Sequence, residues 1–464
     1  MLFDSLPSRF IERMQRLYGA DTAAVLAQEG APARGLRVNT LKCTVGQFRA
    51  LWQGAAQPVA FCPEGFQVDA AFKAGADPLH HAGAYYMQEP SAMSAVTVLA
   101  PRPGERILDL CAAPGGKSTQ IAAALGGSGW LWSNEYVRAR AKVLAQNIER
   151  CGVRNAVVSS ADASLLAGRL EAFFDGVLVD APCSGEGMFR KEPAALEHWS
   201  EENIRLCAAR GREILDAAAA MVRPGGRLVF STCTFAPEEN ECQIAAFLMR
   251  HPEFELVDPG VSFGRPGLSW GQVAAFAADA TAPAADLTLC RRITPADGGE
   301  GHFVALLHRR GENTGAAAVA APAKADAVAR EATALYADCF ADEPQGRFAV
   351  YGQQVHLLPP ELPELGGLPI VSAGFAVAEL CKNRLEPCHA AFMAARAADC
   401  RRLVNLTRDD PRVTAFLRGE QIEAPDDLKG WTAVAVEGIT LGFGKVSGGT
   451  LKNRYPKGLR LLAR

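Results

Sequence analysis

Near the start of the chain, Phe10, Met14 and Leu17 recur at helical spacing and predict an amphipathic helix. A strand-like run follows, "RGLRVNTLK" at 34–42, with three basic residues in it. From about residue 81 the pattern changes, and short apolar runs alternate with longer helical ones. "RILDL" (106–110), "GWLWSNE" (129–135), "NAVVSS" (155–160), "GVLVDAP" (176–182) and "GRLVFSTC" (226–233) read as strands. "VRARAKVLAQNIERCG" (137–152) and "EENIRLCAARGREILDAAAAMV" (201–222) read as helices. Late in this region "LTLCRRITP" and "HFVALLHRR" (302–310) form an expected antiparallel hairpin. The stretch 311–331 is rich in alanine with few bulky apolar residues. Beyond it, glycine-punctuated strand patterns return, as in "GRFAVYGQQVHLLP" and "WTAVAVEGITLGFGKV".

Strands that alternate with helices argue for a parallel, doubly wound α/β sheet, with the late hairpin on its edge. A chain of 464 residues is too long for one ordinary core. The pattern divides it into a small appended domain (1–80), the α/β domain (81–310), a linker (311–331) and an α+β region (332–464).

Composition narrows the class. About half the residues are hydrophobic and about a fifth charged, as in ordinary globular domains. A net charge of -3 excludes a protein coated in positive charge, so nucleic acid would need a local basic patch. The 13 cysteines form no C-x-x-C pair, which signals neither a disulfide framework nor a zinc ribbon. Free thiols suit a reducing cytosol, and no metal is expected. "MLFDSLPSRFIERM" carries acidic residues and is not a signal peptide. No run approaches the roughly 20 apolar residues of a membrane span, so the expectation is a cytoplasmic protein with no membrane partner.

"DLCAAPGGKST" (109–119) nearly matches a nucleotide-triphosphate loop, but Cys111 replaces its first glycine. The turn runs from a strand ending at Asp109 through Cys111, Ala112, Ala113, Pro114, Gly115 and Gly116 to a helix beginning near Lys117. Ligands of open α/β sheets sit at such strand ends. Glu135 follows the second strand, where ribose hydroxyls are bound. Asp162 follows the third strand, within reach of an adenine amine, and Asp180 ends the fourth. Three strand-end carboxylates suit a positively charged sulfonium, which points to S-adenosylmethionine. Each of these acids alone reads equally well as a cap on the following helix. The other ligand reading is an ATPase, with "GVLVD" as the strand before a magnesium aspartate; the missing glycine opposes it.

"DAPCSGEGMFRKEP" (180–193) and "STCTFAPEEN" (231–240) each place a cysteine just past a strand end, so Cys183 and Cys233 are expected in the cofactor crevice. Cys43, Cys151, Cys207, Cys242 and the others read as buried packing residues, and Cys111 as packing in the loop. Methyl transfer to carbon five of cytosine needs a thiol. A thiolate adding to carbon six makes carbon five nucleophilic. Transfer to nitrogen or oxygen has no such need. Lys117 is a candidate for favouring the thiolate or orienting the base. Residue chemistry leaves open which of the two thiols attacks.

The motifs "YYMQEPSAM" (85–93), "DLCAAPGGKSTQ" (109–120), "DAPCSGEGMFRK" (180–191) and "STCTFAPEENE" (231–241) resemble those of the NOL/NOP/Sun family of RNA cytosine-5 methyltransferases. The resemblance covers most of residues 1–310. The ending "GITLGFGKVSGGTLKNRYPKGLR" (438–460) is similar to the PUA-like part of a bacterial branch acting on small-subunit ribosomal RNA. The resemblance implies a Rossmann-like class I methyltransferase domain, with a small N-terminal domain and a C-terminal PUA-like RNA-binding region. It implies that Cys233 attacks, that Cys183 assists release, and that Asp180 holds the cytosine edge near the cofactor. It sets S-adenosylmethionine against residues 111–117, Glu135 and Asp162, with Arg140 in support.

The last 24 residues hold six Lys or Arg and no Asp or Glu, with Phe443 and Tyr455 among them. That composition suits phosphate contact and base stacking. A solvated tail is the plainer reading. "RGLRVNTLK" is a second candidate RNA contact, as are Arg190 and Lys191. The expected partner is RNA, 16S rRNA or the small subunit. The alternatives are a transfer RNA cytosine-5 methyltransferase and a non-catalytic RNA-binding assembly factor.

Overall fold

The computed structural model describes residues 6–26, 34–277, 281–312, 327–360, 362–363, 365–382 and 384–461. The predicted N-terminal helix is α1 (Ser8–Tyr18), and Phe10, Met14 and Leu17 are its buried face. It packs on the central domain, where the Phe10 ring lies 5.2 Å from Phe189 and 6.0 Å from Trp199. β1 (Arg34–Val38), β2 (Ala56–Pro58), β3 (Gly65–Val68) and β4 (Tyr85–Met87) form an antiparallel sheet in the order β2-β3-β1-β4.

The alternating runs fold as expected into parallel strands β5 (Arg106–Asp109), β6 (Trp130–Asn134), β7 (Ala156–Ser159), β8 (Phe174–Asp180) and β9 (Val222–Thr232). Helices α2 (Gly116–Leu125), α3 (Arg138–Arg150) and α4 (Glu201–Met221) connect them. With both faces of the sheet covered, its inner strands are apolar almost throughout rather than alternating. The order β9-β8-β5-β6-β7 brings the ends of β5, β8 and β9 side by side. The late hairpin is β10 (Arg291–Ile293) with β11 (His302–Arg309), and β11 adds antiparallel to β9. Residues 287–289, read as part of the first hairpin strand, instead form a 3₁₀ turn.

Residues 313–326, most of the expected linker, lie outside the described residues. Its last residues, 327–331, belong to helix α5 (Ala327–Cys339), which buries Ala332, Tyr336 and Cys339. β12 (Arg347–Tyr351) and β13 (Gln354–Leu358) form a hairpin in a second four-stranded sheet. The short strand Ile370–Ala373 joins the central sheet instead, antiparallel on β7. A five-stranded sheet closes the chain, and its Gly430–Val436 and Ile439–Ser447 strands are the predicted "WTAVAVEGITLGFGKV" hairpin. This last sheet shares one apolar core with the N-terminal sheet: Leu36, Phe48 and Tyr85 pack with Val434, Val436 and Leu441. An Arg408–Asp77 ion pair at 3.0 Å adds to the joint.

Two expectations about RNA contact are overturned by packing. In "RGLRVNTLK" β1 is an inner strand; Arg37 and Lys42 are used inside the protein, and Arg34 is exposed at its start. Arg37 is 1% exposed and donates to Gln88 Oε1, the Gly116 carbonyl and Thr119 Oγ1 at 2.7–3.1 Å. Lys42 donates to the Met393 carbonyl and Thr440 Oγ1, and burial lowers its pKa to about 7. Arg34 is tied to the carbonyls of Ala70 and Phe72. Phe443 and Tyr455 face inward as well, with Phe443 stacked on Phe392 at 4.5 Å and Tyr455 against Phe416. The C-terminal segment is thus folded strand, not a solvated tail. Lys445, Lys452, Arg454 and Lys457 remain exposed on it.

Candidate active site at the strand ends

Because β5, β8 and β9 are neighbours, the segments leaving them converge. Lys117, in the first turn of α2, reaches Asp180 at the end of β8 with Nζ 2.7 Å from Oδ2. Ser231, near the end of β9, donates to the other oxygen of Asp180 at 3.0 Å. Cys183 and Cys233 stand just beyond, with their sulfurs 3.4 Å apart. The Cys233 backbone N–H also points to the Cys183 sulfur at 3.4 Å. The two loops are cross-braced. Glu186 accepts from Thr234 Oγ1 and the Phe235 N–H, both at 3.0 Å, and Glu239 accepts from the Ser184 N–H at 2.8 Å. Burial raises the Glu239 pKa to about 8, so it holds a proton at neutral pH. Neither glutamate was singled out in the sequence, although both lie inside the quoted motifs.

Burial opposes the charge on Lys117, but Asp180 outweighs it and holds the ammonium above its usual pKa. The Cys233 sulfur adds to that effect. The contact with Cys233, then burial, push Cys183 well up. The two sulfurs are in hydrogen-bond contact, and either can donate to the other. Of the remaining cysteines, Cys43, Cys62, Cys151, Cys242, Cys290 and Cys339 are buried as expected, whereas Cys207, Cys381, Cys388 and Cys400 are half-buried.

The glycine-rich turn is held from outside. Arg140 donates to the Ala113 carbonyl at 3.1 Å, Asn147 to that of Pro114 at 2.9 Å, and Arg37 to that of Gly116. The Ala112 N–H bonds the Asn134 carbonyl at 2.8 Å. These bonds turn the loop's carbonyls away, while the first N–H groups of α2 have no intrahelical partner. Gly115 has φ 114°, a left-handed conformation that needs glycine. A Cβ on Gly116 would press on the Tyr86 ring at 3.3 Å. Cys111 is half-buried, and burial raises its pKa, so it stays a thiol. Asn134 and Asn147 were missed in the sequence, because polar residues inside apolar or helical runs carry no periodic signal.

Around this turn stand the expected carboxylates. Glu135 is buried, accepts from the Val137 N–H at 2.9 Å and lies 3.5 Å from Arg140. Asp162 is exposed and caps the short helix Ala163–Ala167 through the Ser164 N–H at 2.9 Å. Asp109 is fully buried. Oδ2 accepts from Ser118 at 2.7 Å, and Oδ1 has no partner. An unpaired buried acceptor beside a loop of free N–H groups fits a ligand that carries both donors and an acid group.

Burial raises the Asp109 pKa to about 7. The folded protein therefore keeps this proton over a pH range in which the unfolded chain has lost it. The group's stabilisation is complete below the ordinary carboxylate pKa and is lost as pH rises through about 7. Asp109→Asn keeps an acceptor for Ser118 and carries no charge. We expect its stability advantage over the parent to grow from pH 4 to 7 and then level off. Urea unfolding without cofactor measures this, and parallel profiles for the two proteins would exclude the assignment.

Among the described residues no helix is long and apolar enough to cross a membrane, and no group of three or more His, Cys, Asp or Glu is poised to hold a metal.

Comparison with known proteins agrees with this architecture. Residues 96–308 match the family described as 16S rRNA methyltransferase RsmB/F. Residues 6–90 match the N-terminal domain of 16S rRNA methyltransferase RsmF, 334–394 its first C-terminal domain, and 404–461 the methyltransferase RsmF PUA domain. The ribosomal RNA small subunit methyltransferase F of Klebsiella pneumoniae strain 342 is 34% identical over 455 residues, covering 92% of this chain and 90% of that protein. The protein of the same name from Aliivibrio fischeri strain MJ11 is 32% identical over 475 residues, covering 98% and 97%. The crystal structure of a methyltransferase homolog from Pyrococcus horikoshii superposes with a TM-score of 0.58 at 28% identity, over 66% of this chain and 97% of that one. With its α/β centre, N-terminal sheet and C-terminal PUA domain, the chain belongs to the RsmF family of 16S rRNA methyltransferases.

Proposed function

We propose that this protein transfers a methyl group from S-adenosylmethionine to carbon five of a cytosine in 16S ribosomal RNA, through a covalent bond between Cys233 and the base. The observation that carries the reading is the pair of sulfurs 3.4 Å apart at the ends of adjacent strands, beside the Lys117–Asp180 ion pair. The names and coverage of the relatives support the ribosomal substrate.

The cofactor supplies an electrophilic methyl group. The turn from Cys111 to Lys117 would hold it, together with Asp109 and Glu135; Asp162 would approach its adenine and Arg140 would steady the loop. Cys233 adds to carbon six of the extruded base, and its electron pair makes carbon five nucleophilic. Lys117 favours the thiolate at Cys233 and, with Asp180, orients the base edge. After methylation the carbon-five proton passes to solvent, its C–H electron pair reforms the ring double bond, and the Cys233 sulfur leaves with the C–S pair. Cys183, in contact with that sulfur, assists this release.

The test is transfer of labelled methyl to small-subunit RNA and to transfer RNA, followed by bisulfite mapping. We expect 5-methylcytosine at a defined site in the ribosomal RNA. Label in transfer RNA alone would overturn the substrate, and label at nitrogen or oxygen would overturn the chemistry.

A further inference from the structure

One buried polar atom in the crevice has no task in this chemistry. His302 opens β11. The register sets Val304 opposite Ser231. His302, two residues before Val304 on the strand, shares its face, so the imidazole stands on the side from which Ser231 reaches Asp180. His302 is 6% exposed, and its Nε2 has no hydrogen-bond partner. The Gly301 backbone bonds the ring, which leaves Nε2 as the open position. Lys117, Asp180 and Glu89 all lie close enough to act on its charge. Burial, with the Lys117 ammonium next, lowers its pKa to about 4, and the ring is neutral at physiological pH. A neutral imidazole that donates through Nδ1 presents a lone pair at Nε2. A buried acceptor of this kind calls for a donor. Cytosine carries an amine at carbon four, whereas uracil carries an acceptor oxygen there.

We propose that His302 Nε2 accepts a hydrogen bond from the 4-amino group of the target cytosine, and so selects cytosine over uracil. The amine has two hydrogens, one for His302 and one for Asp180. This inference rests on the cytosine reading above.

The experiment compares the parent protein with His302→Phe and His302→Gln. Each is given two small-subunit RNA transcripts that differ only in cytosine or uracil at the mapped target, and kcat/KM for labelled methyl is read on both. Phenylalanine removes the acceptor. It should lower kcat/KM on the cytosine RNA on the order of 10- to 100-fold and leave the uracil RNA unchanged. The glutamine amide presents either a carbonyl or an amine. It should keep much of the cytosine rate and raise transfer to uracil. If both variants retain the parent's ratio of the two rates, His302 does not read the amine and the proposal fails. Should the phenylalanine variant not fold, the ratio measured on the glutamine variant decides alone. Failure of the parent to methylate the cytosine RNA at all would instead overturn the function proposed above.

Discussion

Cys233→Ala should abolish methyl transfer, by on the order of 10⁴-fold or more, while cofactor affinity stays near that of the parent. The loss is large because the thiol is not an aid to an otherwise feasible step. Without a sulfur on carbon six, carbon five of cytosine is not nucleophilic enough to accept a methyl group. Cofactor binding is spared because the residues that would hold it stand on the turn after β5 and at the ends of β5 and β6, whereas Cys233 follows β9. Single-turnover transfer beside calorimetric titration of S-adenosylmethionine separates the two effects. Turnover near the parent's would remove Cys233 from the role of attacker. Combined loss of transfer and cofactor binding would point to a damaged crevice.

Cys183→Ala has the opposite signature: the first half of the reaction runs and the second stalls. The Cys183 thiol is pushed well up by its contact with Cys233 and by burial, lies 3.4 Å from the Cys233 sulfur and is held by a braced loop. It is placed to act on the bond between that sulfur and the base. Without it the methylated base stays attached to Cys233. The expected result is a protein–RNA band on a denaturing gel that needs cofactor and disappears with ribonuclease. In the double variant with Cys233→Ala the band should be absent. Clean turnover by Cys183→Ala, with no band, would assign release to another group.

Much of this was legible in the sequence, for reasons that differ by element. The spacing of Phe10, Met14 and Leu17 and the apolar runs of the central strands follow directly from which face is buried, so the helix and the sheet could be read. The strand ends then placed Asp109, Asp180, Cys183 and Cys233 together, because neighbouring parallel strands deliver their following loops to one edge. The basic residues were misread where composition stood in for environment. Arg37 and Lys42 look like RNA contacts in one dimension, but β1 lies inside a covered sheet and both side chains bond internal oxygens. Phe443 and Tyr455 sit among surface cations, yet both are buried, Phe443 against Phe392 and Tyr455 against Phe416. The strand Ile370–Ala373 pairs across a sequence separation of some two hundred residues with β7, and no local pattern reports such a partner.

The core shared by the N-terminal and C-terminal sheets has a mechanical consequence. Swinging either sheet away would bare Leu36, Tyr85, Val434 and Leu441 to water and break the Lys42–Thr440 hydrogen bond. The two ends of the polypeptide therefore behave as one clamped jaw rather than as two loose arms. The exposed Lys445, Lys452 and Lys457 therefore sit on a body packed against the N-terminal sheet rather than on a loose arm.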